Sequence, residues 1–523
     1  MSRFIAIVLA LLAMLSSAQI GNAADKKLNV SPDSKGVVSL SAEGATLSGT
    51  ALKVVDGALA DWTDSKQSAT WMLEKAPAGS YDVYGELNVS QDAAGETFAV
   101  DIDGQTTIRA ELKATTPAGA FERKLLGRVL LTGGKHAVSI HGTNRKPHKL
   151  GQLKLLELIP AGPGVAADAP PFAPPPLTVP AGFSVELVAG PPLVAHPMLA
   201  SFDDRGRMFV AESVGVNSRG AVLAENPPHE IRVLEDVNGD GRFDKSTLFA
   251  DKLVFPQGIL WHDGWVYVSS PPNFWRLRDN DGDGVADVRE VLATGFANTG
   301  VADDMHGASL GPDGRVYWCA GRFPHKIRRP DGPVVHEGTA PLVLRCKPDG
   351  TELEVVCGSQ GNAVGVAFTD AGDFFASGTF LASDSMGPNL RDALIHCVDG
   401  GQYPVRDKTI KEHKRTGDLL PALTHLGVSA SSDVAIYRGH MFGEEYRGNL
   451  FSALFNMHKV LRHVITPDGA TYRCRNEDFL TSASADFHPT DVFEDADGSL
   501  LVIDTGGWFI IGCPTSQIAK PQV

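Results

Sequence analysis

Residues 27–160 consist of short runs in which apolar and polar residues alternate, separated by Gly, Asn and Asp. Examples are SATWMLE, GSYDVYGELNV and HAVSIHG. A period of two is typical of half-buried β-strands, and no helical period persists in this part of the chain. The pattern predicts a β-sandwich of the jelly-roll type over residues 27–160.

A second pattern begins near Gly182, where an Asp- and Gly-rich turn followed by a short apolar-alternating strand recurs. The turn glycines of the units are Gly206, Gly264, Gly314, Gly372, Gly448 and Gly498. Units of this length, each a turn and then a strand, predict a six-bladed β-propeller over residues 181–515. The strand FSVELV is expected to close the ring by joining the last blade. The predicted fold class is therefore all-β, and a β-helix or a further sandwich is the alternative.

Two stretches depart from the alternation. Residues 1–24 combine Arg3, an apolar run and small residues before a cleavage point after Ala23 or Ala24, which predicts a secretory signal peptide. An uncleaved N-terminal anchor is the alternative. Residues 161–180 are dense in proline, which predicts an extended linker. We expect a secreted or periplasmic protein without a stable membrane span once the signal is removed.

Composition narrows the class of partner. The formal net charge of -15 argues against nucleic acid as a partner. The six cysteines form no CxxC or CxxCH motif, which excludes a thioredoxin-type site and covalent c-type haem attachment within the sequence. Export would allow disulfides, but six cysteines permit 15 pairings and the sequence does not choose among them.

Two acidic loops match the pattern of calcium ligands. In DNDGDGVADVRE a sharp turn at Gly284 separates alternate oxygen ligands, and five acidic side chains so close together would repel one another without a cation. DVNGDGRFD has the same spacing, but Thr247 replaces the last carboxylate. The flanks read as strands, so these are loops between strands rather than helix-loop-helix sites. The predicted metal ligands are Asp279, Asp281, Asp283, Val285, Asp287 and Glu290 in the first loop and Asp236, Asn238, Asp240, Arg242 and Asp244 in the second, with Val285 and Arg242 contributing backbone carbonyls.

Other candidates for chemistry are single residues. His306 precedes the GPDG turn, and Asp304 is positioned to orient it as a general base. A structural role for His306 is the alternative. Trp62, in the polar loop DWTDSK, is the candidate for stacking on a sugar ring, whereas Trp71 and Tyr81 read as core.

The chain resembles known families in two regions. AEGATLSG, DWTDSKQSATWMLE, AGSYDVYGEL and LGRVLLTGGKHAVSI are similar to galactose-binding-like carbohydrate modules. The stretches AGFSVELVAGPPLVAHP, PPNFWRLRDNDGDGVADVREVLATGF and HPTDVFEDADGSLLVIDTGGW resemble propeller proteins of planctomycetes and verrucomicrobia that are labelled membrane-bound dehydrogenases. That family is in turn similar to soluble quinoprotein glucose dehydrogenases.

The resemblance implies a secreted sugar or alcohol dehydrogenase with calcium and pyrroloquinoline quinone, served by an external electron acceptor such as a c-type cytochrome. The candidate cofactor-binding residues beside His306 are Asn362, His488 and Glu212. These three and His425 come from unit positions that tend to face one end of a propeller, the end that usually carries the site. The sequence departs from the pattern where cationic residues should grip the quinone carboxylates. Gly361 stands at an Arg position, Phe455 and Asn456 at a Lys position, and His488 and Thr490 where further Arg residues are expected.

Three functions remain open from the sequence. The first is a secreted oxidoreductase-like propeller that acts on a carbohydrate or small polyol, with a sugar-binding module in front of it. The second is a calcium-dependent lactonase or lyase, in which the metal acts as Lewis acid. The third is a non-catalytic protein that binds carbohydrate or a surface.

Overall fold

The structure is a computed structural model that describes residues 29–49, 51–63, 66–131, 133–143, 151–161, 174–381, 391–405, 411–412, 414 and 416–509. The predicted signal peptide, most of the proline-rich linker and Cys513 lie outside these residues. Among the described residues, no helix is long and apolar enough to cross a membrane.

The first region is a two-layered β-sandwich. Its strands are β1 (Asn29–Val30), β2 (Val38–Ser41), β3 (Thr46–Ser48), β4 (Lys53–Val55), β5 (Ala58–Ala60), β6 (Ser68–Ala76), β7 (Gly79–Asn88), β8 (Thr97–Ile102), β9 (Gln105–Glu111), β10 (Glu122–Leu131), β11 (Gly134–Gly142) and β12 (Gln152–Pro160). One sheet has the order β1-β6-β11-β8-β9 with β3 on β6, and the other has the order β10-β7-β12-β5-β4 with β2 on β12. Short 3-10 helices cover Ala42–Gly44 and Gln91–Ala93.

The core between these two sheets corrects one prediction. Trp71 and Tyr81 are buried there, as predicted. Trp62 is also in this core, fully buried, with its ring edge-on to Phe98 at a centroid distance of 5.2 Å. The prediction that Trp62 stacks on a sugar is therefore wrong, because a ring without exposed surface cannot face a ligand. The loop turns its tryptophan inward while the polar neighbours face solvent.

The remaining strands form sheets around a common axis. In chain order the first of them are β13 (Leu177–Thr178), β14 (Pro197–Phe202), β15 (Met208–Glu212), β16 (His229–Glu235), β17 (Lys245–Leu253), β18 (Ile259–His262), β19 (Trp265–Ser270), β20 (Asn273–Arg278), β21 (Val288–Thr294), β22 (Met305–Leu310), β23 (Val316–Ala320), β24 (His325–Arg328) and β25 (Val334–Gly338). The chain continues with β26 (Leu342–Cys346), β27 (Glu354–Gly358), β28 (Val366–Phe368), β29 (Phe374–Leu381), β30 (Arg391–Cys397), β31 (Thr424–Gly427), β32 (Ser431–Ile436), β33 (Leu450–Leu454), β34 (Lys459–Asp468), β35 (Thr471–Ser482), β36 (Pro489–Glu494) and β37 (Leu500–Asp504). The α-helix α1 (Gly220–Glu225) and a 3-10 helix at Phe455–Met457 lie between strands.

These strands build a propeller. Antiparallel pairing groups them into sheets that begin with β14, β18, β22, β28, β32 and β36. Each of these inner strands contacts the inner strands of the two neighbouring sheets, so that they form a closed ring in the described residues. The Ala200 amide donates to the Asp491 carboxylate (2.8 Å) and thereby links the last sheet to the first. The predicted all-β fold with a propeller is confirmed.

The repeated turn explains why the sequence forms these sheets. In every unit the turn glycine lies between the inner strand and the second strand. All six turn glycines have φ between 73° and 93°, a conformation that favours glycine. The repeat in the sequence therefore predicted correctly where the first two strands of each sheet meet.

Ring closure differs from the prediction. Phe183–Val188 is not a strand. Instead, β13 pairs with β35, and the Phe183 ring packs against Phe442, Tyr446 and Phe479 of that sheet. The proposed closing strand is wrong because aromatic packing, rather than strand pairing, fixes this segment.

The sandwich contacts one face of the propeller. Leu130 of β10 belongs to the same apolar cluster as Phe455 and Phe509. The side-chain amide of Asn217 donates to the Trp508 carbonyl (2.7 Å) and, more weakly, to the Thr107 carbonyl of the sandwich (3.4 Å). This contact lies beside the pocket described next.

Candidate functional site

A small pocket lies where the inner strands begin. It has a volume of about 60 Å³, and we call it the mouth pocket. Its lining residues are Met198, Leu199, Gln257, Ala302, His306, Asn362, Val364, Thr379, Ala430, Ser431, Ser432, Phe455, Thr490 and Phe509. Two of the sequence candidates, His306 and Asn362, are therefore brought together, although they come from different sheets.

His306 lies near the start of β22 and is 2% exposed. Burial lowers its pKa to about 4, against smaller opposing effects of the Ala302 carbonyl and the Asn362 side chain. The imidazole is therefore neutral at physiological pH. Although these two groups lie near it, Nε2 has no hydrogen-bond partner of good geometry among the described residues. A buried Nε2 without such a partner, on a residue that lines a pocket, is available to a ligand.

The two carboxylates beside His306 serve other roles. Asp304 accepts hydrogen bonds from the Thr299 hydroxyl (2.7 Å) and from the amides of Thr299 (2.8 Å) and Gly300 (3.1 Å). Asp303 pairs with Arg322 at 2.6 Å. The prediction that Asp304 orients His306 is not supported, because both of its oxygens hold the preceding turn.

Three more residues that line the mouth pocket have a buried polar atom without a partner in the described part of the chain. These atoms are Oδ1 of Asn362, Oγ of Ser431 and Oγ1 of Thr490, and each residue is less than 9% exposed. Asn362 is held by its Nδ2, which donates to the Ala302 carbonyl (2.5 Å), and by its amide, which donates to Thr379 (2.9 Å). Sequence reasoning missed Ser431 altogether and noted Thr490 only as a departure from an Arg position.

The outer wall of the mouth pocket is apolar. Phe455 and Phe509 lie edge-on at 6.4 Å, and the ring of His488 packs on Phe455 at 4.3 Å. Burial lowers the pKa of His488 to about 4. The predicted ligand His488 therefore lies behind the wall, against Phe455, rather than among the lining residues.

Glu212, at the end of β15, is not among the lining residues of the mouth pocket. It accepts from the amides of Ala195 (2.5 Å) and His196 (3.3 Å), and burial raises its pKa to about 7. Arg232 lies 3.7 Å away but is closer to Glu230, at 2.7 Å, which limits its effect on Glu212. His425 lies in β31, the last strand of its sheet, far from the inner ring.

A larger cavity of about 350 Å³ continues along the axis and is lined by the same inner strands. We call it the channel cavity. Asp433 of β32 and Asp491 of β36 share a hydrogen bond there, and burial, with Asp491 next, raises the pKa of Asp433. Two buried carboxyl groups this close hold a proton between them. No sequence motif drew attention to this pair.

The acidic loops have the geometry that the sequence predicts for their first half. Carboxylate oxygens of Asp279, Asp281 and Asp283 lie within 4.8 Å of one another. Asp279 also accepts from the amides of Gly282 (2.7 Å) and Gly284 (2.9 Å), which closes the turn. The second loop repeats this arrangement, since Asp236 accepts from the amides of Gly239 (2.7 Å) and Gly241 (2.8 Å).

The last predicted ligand of the first loop is engaged elsewhere. Glu290 lies opposite Arg276 in the sheet and pairs with it at 2.6 Å. Asp287 accepts from the Asn280 amide (2.8 Å). Three carboxylates of one loop, rather than the whole predicted set, converge.

The propeller region matches one known protein family. Residues 173–510 match a family model described as a domain of unknown function, DUF7133. The chain belongs to this family. The matched region comprises the propeller, so the DUF7133 domain contains both cavities and both acidic loops. No curated protein matches the chain significantly.

Solved structures similar to this DUF7133 protein include three sugar dehydrogenases. The PQQ domain of pyranose dehydrogenase from Coprinopsis cinerea is 16% identical with a TM-score of 0.45, covering 64% of this chain and 97% of that chain. The PQQ-bound aldose sugar dehydrogenase from Streptomyces coelicolor is 16% identical with a TM-score of 0.42, covering 61% and 90%. The soluble aldose sugar dehydrogenase from Escherichia coli is 13% identical with a TM-score of 0.42, covering 60% and 94%. At this similarity, neither ligand nor activity is carried over.

The mouth pocket does not fit pyrroloquinoline quinone. Its described lining contains no Lys or Arg to hold carboxylates, and its volume is far below the roughly 300 Å³ of ordinary cofactor pockets. Gly361 occupies the expected Arg position with φ of +78°, and a Cβ there would lie 1.7 Å from the Thr379 carbonyl oxygen. The backbone therefore excludes any larger residue at this position.

Proposed function

We propose that the mouth pocket binds a hydroxyl or hydroxymethyl group of a small sugar or polyol. The observation that carries this proposal is the convergence of four unpartnered polar atoms, from His306, Asn362, Ser431 and Thr490, on one buried pocket. They come from three inner strands and one preceding loop, so the ring as a whole builds the site.

The energetics favour a ligand with hydroxyl groups. A buried polar atom without a partner costs roughly 1–3 kcal/mol, and a ligand that supplies the missing bonds recovers this cost. A hydroxyl both donates and accepts, which suits an imidazole, an amide oxygen and two hydroxyls together. The pocket of about 60 Å³ accommodates the end of such a molecule rather than a whole sugar ring.

His306 also gives the pocket a chemical role. A neutral imidazole accepts a hydrogen bond from a hydroxyl group and is suited to accept its proton. In a sugar or alcohol dehydrogenase, His306 would take the hydroxyl proton while the hydride of the carbon that bears the hydroxyl passes to an external two-electron acceptor, which leaves a carbonyl group.

The test is calorimetric titration of the full chain with glycerol, erythritol, sorbitol, glucose and galactose. We expect at least one polyol to bind, and Ser431→Ala combined with Thr490→Val to weaken binding at least tenfold. Ser246→Ala, in the distant strand β17, is the control and should leave affinity unchanged. An equal affinity in the double variant, or no binding of any compound, would refute the proposal.

A second site is supported by a separate observation. We propose that the loop with Asp279, Asp281 and Asp283 binds calcium, because their oxygens converge within 4.8 Å as hard cations require. Calcium should raise the unfolding temperature, since it binds only the folded loop. Asp281→Asn should abolish most of this rise, whereas the exposed Asp204→Asn should not. A rise that persists in Asp281→Asn would contradict this assignment.

A further inference from the structure

Two cysteines face each other across neighbouring sheets of the propeller. Cys357 is in β27 of the third sheet, and Cys397 ends β30 of the fourth. Both side chains are at most 2% exposed and belong to one apolar cluster. The structure shows both as free thiols, and they interact with each other as a hydrogen-bonded pair.

The backbone brings these residues together. The Gly400 amide donates to the Val356 carbonyl (2.7 Å), and the Gly358 amide donates to the Gly401 carbonyl (3.0 Å). Gly358 also forms a parallel β-bridge with Gln402. The residues on both sides of Cys357 are therefore hydrogen-bonded to the segment that directly follows Cys397.

The other described cysteines are placed differently. Cys319 is opposite Val343, and Val343 is opposite Cys357, so two strand spacings separate the two cysteines in one sheet. That is about 9.5 Å, beyond the roughly 7 Å limit for bridged Cα atoms. Cys346 and Cys474 pack in other apolar clusters.

We propose that Cys357 and Cys397 form a disulfide bond that covalently links the third and fourth sheets of the propeller. With glutathione disulfide as oxidant, one cysteine thiolate attacks it and releases one glutathione thiol. The second thiolate attacks the mixed disulfide, which forms the protein S–S bond and releases the second glutathione thiol. The two protons of the cysteines end on the two glutathione molecules.

The proposed Cys357–Cys397 bond would lie close in sequence to Asn362, which lines the mouth pocket. Cys357 precedes Asn362 by five residues, and the side chain of the intervening Gln360 contacts the Cys357 sulfur at 3.8 Å. The bond would therefore anchor the segment that presents Asn362. The hydrogen bond with Cys397, and burial after it, raises the pKa of the Cys357 thiol, so reaction in the folded state is slow and the bond forms during folding.

The test is a disulfide map of the full chain after refolding with glutathione disulfide and alkylation without reductant. Trypsin must be combined with a Glu-specific protease, because Lys347 precedes Pro348 and one tryptic peptide holds both Cys346 and Cys357. We expect the Cys357 peptide to be linked to the Cys397 peptide. Alkylation of both thiols, or linkage of either to another cysteine, would overturn the proposal.

A stability measurement separates the bond from packing. Dithiothreitol should lower the unfolding temperature of the wild type by roughly 5–10 °C, because the reduced chain regains entropy when it unfolds. Cys357→Ala combined with Cys397→Ala should show no response to the reductant, and Cys474→Ala should respond as the wild type does. An unresponsive wild type would overturn the proposal even if the double variant were unstable for lack of packing.

Discussion

The mouth pocket and the channel cavity are lined by the same inner strands, but they differ in whether their buried polar groups have hydrogen-bond partners. In the mouth pocket, four buried polar atoms have no partner among the described residues. In the channel cavity, Asp433 and Asp491 partner each other, and Asp491 also accepts from Ala200. The larger cavity is thus internally satisfied, and the smaller one is not.

This difference indicates which cavity serves a ligand. The Asp491 carboxyl group contributes to closing the ring of inner strands, because its hydrogen bonds join β36 to Asp433 of β32 and to Ala200 of β14. An unpartnered polar atom costs stability unless something outside the chain completes it. Volume alone would have selected the channel cavity, whereas hydrogen bonding selects the mouth pocket.

The largest effect is expected at Gly365, which has no side chain and so leaves room for Asp433 and Asp491, here called the channel pair. A Cβ at this position would lie 1.3 Å from Oδ1 of Asp433 and 3.0 Å from the Val434 amide. Gly365→Ala should therefore displace the Asp433 carboxyl group and lower the free energy of unfolding by about 3 kcal/mol, measured by urea denaturation.

Gly417 provides the matched control, since nothing lies within 4 Å of its added Cβ. Gly417→Ala should change stability by less than about 0.5 kcal/mol. Gly365→Ala together with Asp433→Ala should recover part of the loss. If Gly365→Ala, Gly417→Ala and the double variant were equally stable, the channel pair would have no structural role.

His306 should make the mouth pocket sensitive to acid. Its folded-state pKa is about 4, below the ordinary value of 6.5, so the unfolded chain binds its proton first. Its contribution is complete above pH 6.5 and is lost as pH falls toward 4. Between pH 7 and pH 4, His306→Gln should lose about 2–3 kcal/mol less stability than the wild type. Parallel pH curves would show that His306 titrates as an exposed side chain.

The channel pair should respond in the opposite direction. Burial raises the pKa of both Asp433 and Asp491, so the folded state retains protons that the unfolded chain releases. Stability from this pair is therefore lost as pH rises. Asp433→Asn, which keeps the shape, should be more stable than the wild type by about 2 kcal/mol at pH 9 and nearly equal at pH 5. The exposed Asp204→Asn should show no such trend.

The features that could be predicted from the sequence are those that depend on the local backbone conformation. The turn glycines and the Asp279 loop require particular φ angles and residue spacings, and Gly and Asp at those spacings can be recognised in the sequence. His306 and Asn362 were found through their place in the repeat. The channel pair had a signal that went unused, because SDV at Ser432–Val434 and TDV at Thr490–Val492 put an Asp at the same position of two successive inner strands.

Other features depend on packing that no single stretch contains. Trp62 lies among polar residues in sequence, but its burial is decided by Phe98, which is distant along the chain. Asp304 is two residues from His306, yet Thr299 and Gly300 take both of its oxygens. Whether a buried polar atom has a hydrogen-bond partner depends on contacts between segments that are distant in sequence, so the sequence alone does not show it.

The smallest expected effect is the one that tests the unpartnered atoms most directly. Thr490 and Thr379 both line the mouth pocket, but only the Thr379 hydroxyl has a partner, since it accepts from the Asn362 amide at 2.9 Å. Thr490→Val should therefore leave the ligand-free protein as stable or stabilise it by about 1 kcal/mol, because an unpartnered hydroxyl is replaced by a methyl group. Thr379→Val should destabilise it by about 1 kcal/mol, because the Asn362 amide loses its acceptor. Urea denaturation of both variants measures the difference. Equal losses in the two would mean that water or another group already satisfies Thr490, and the case for a ligand in the mouth pocket would lose one of its four atoms.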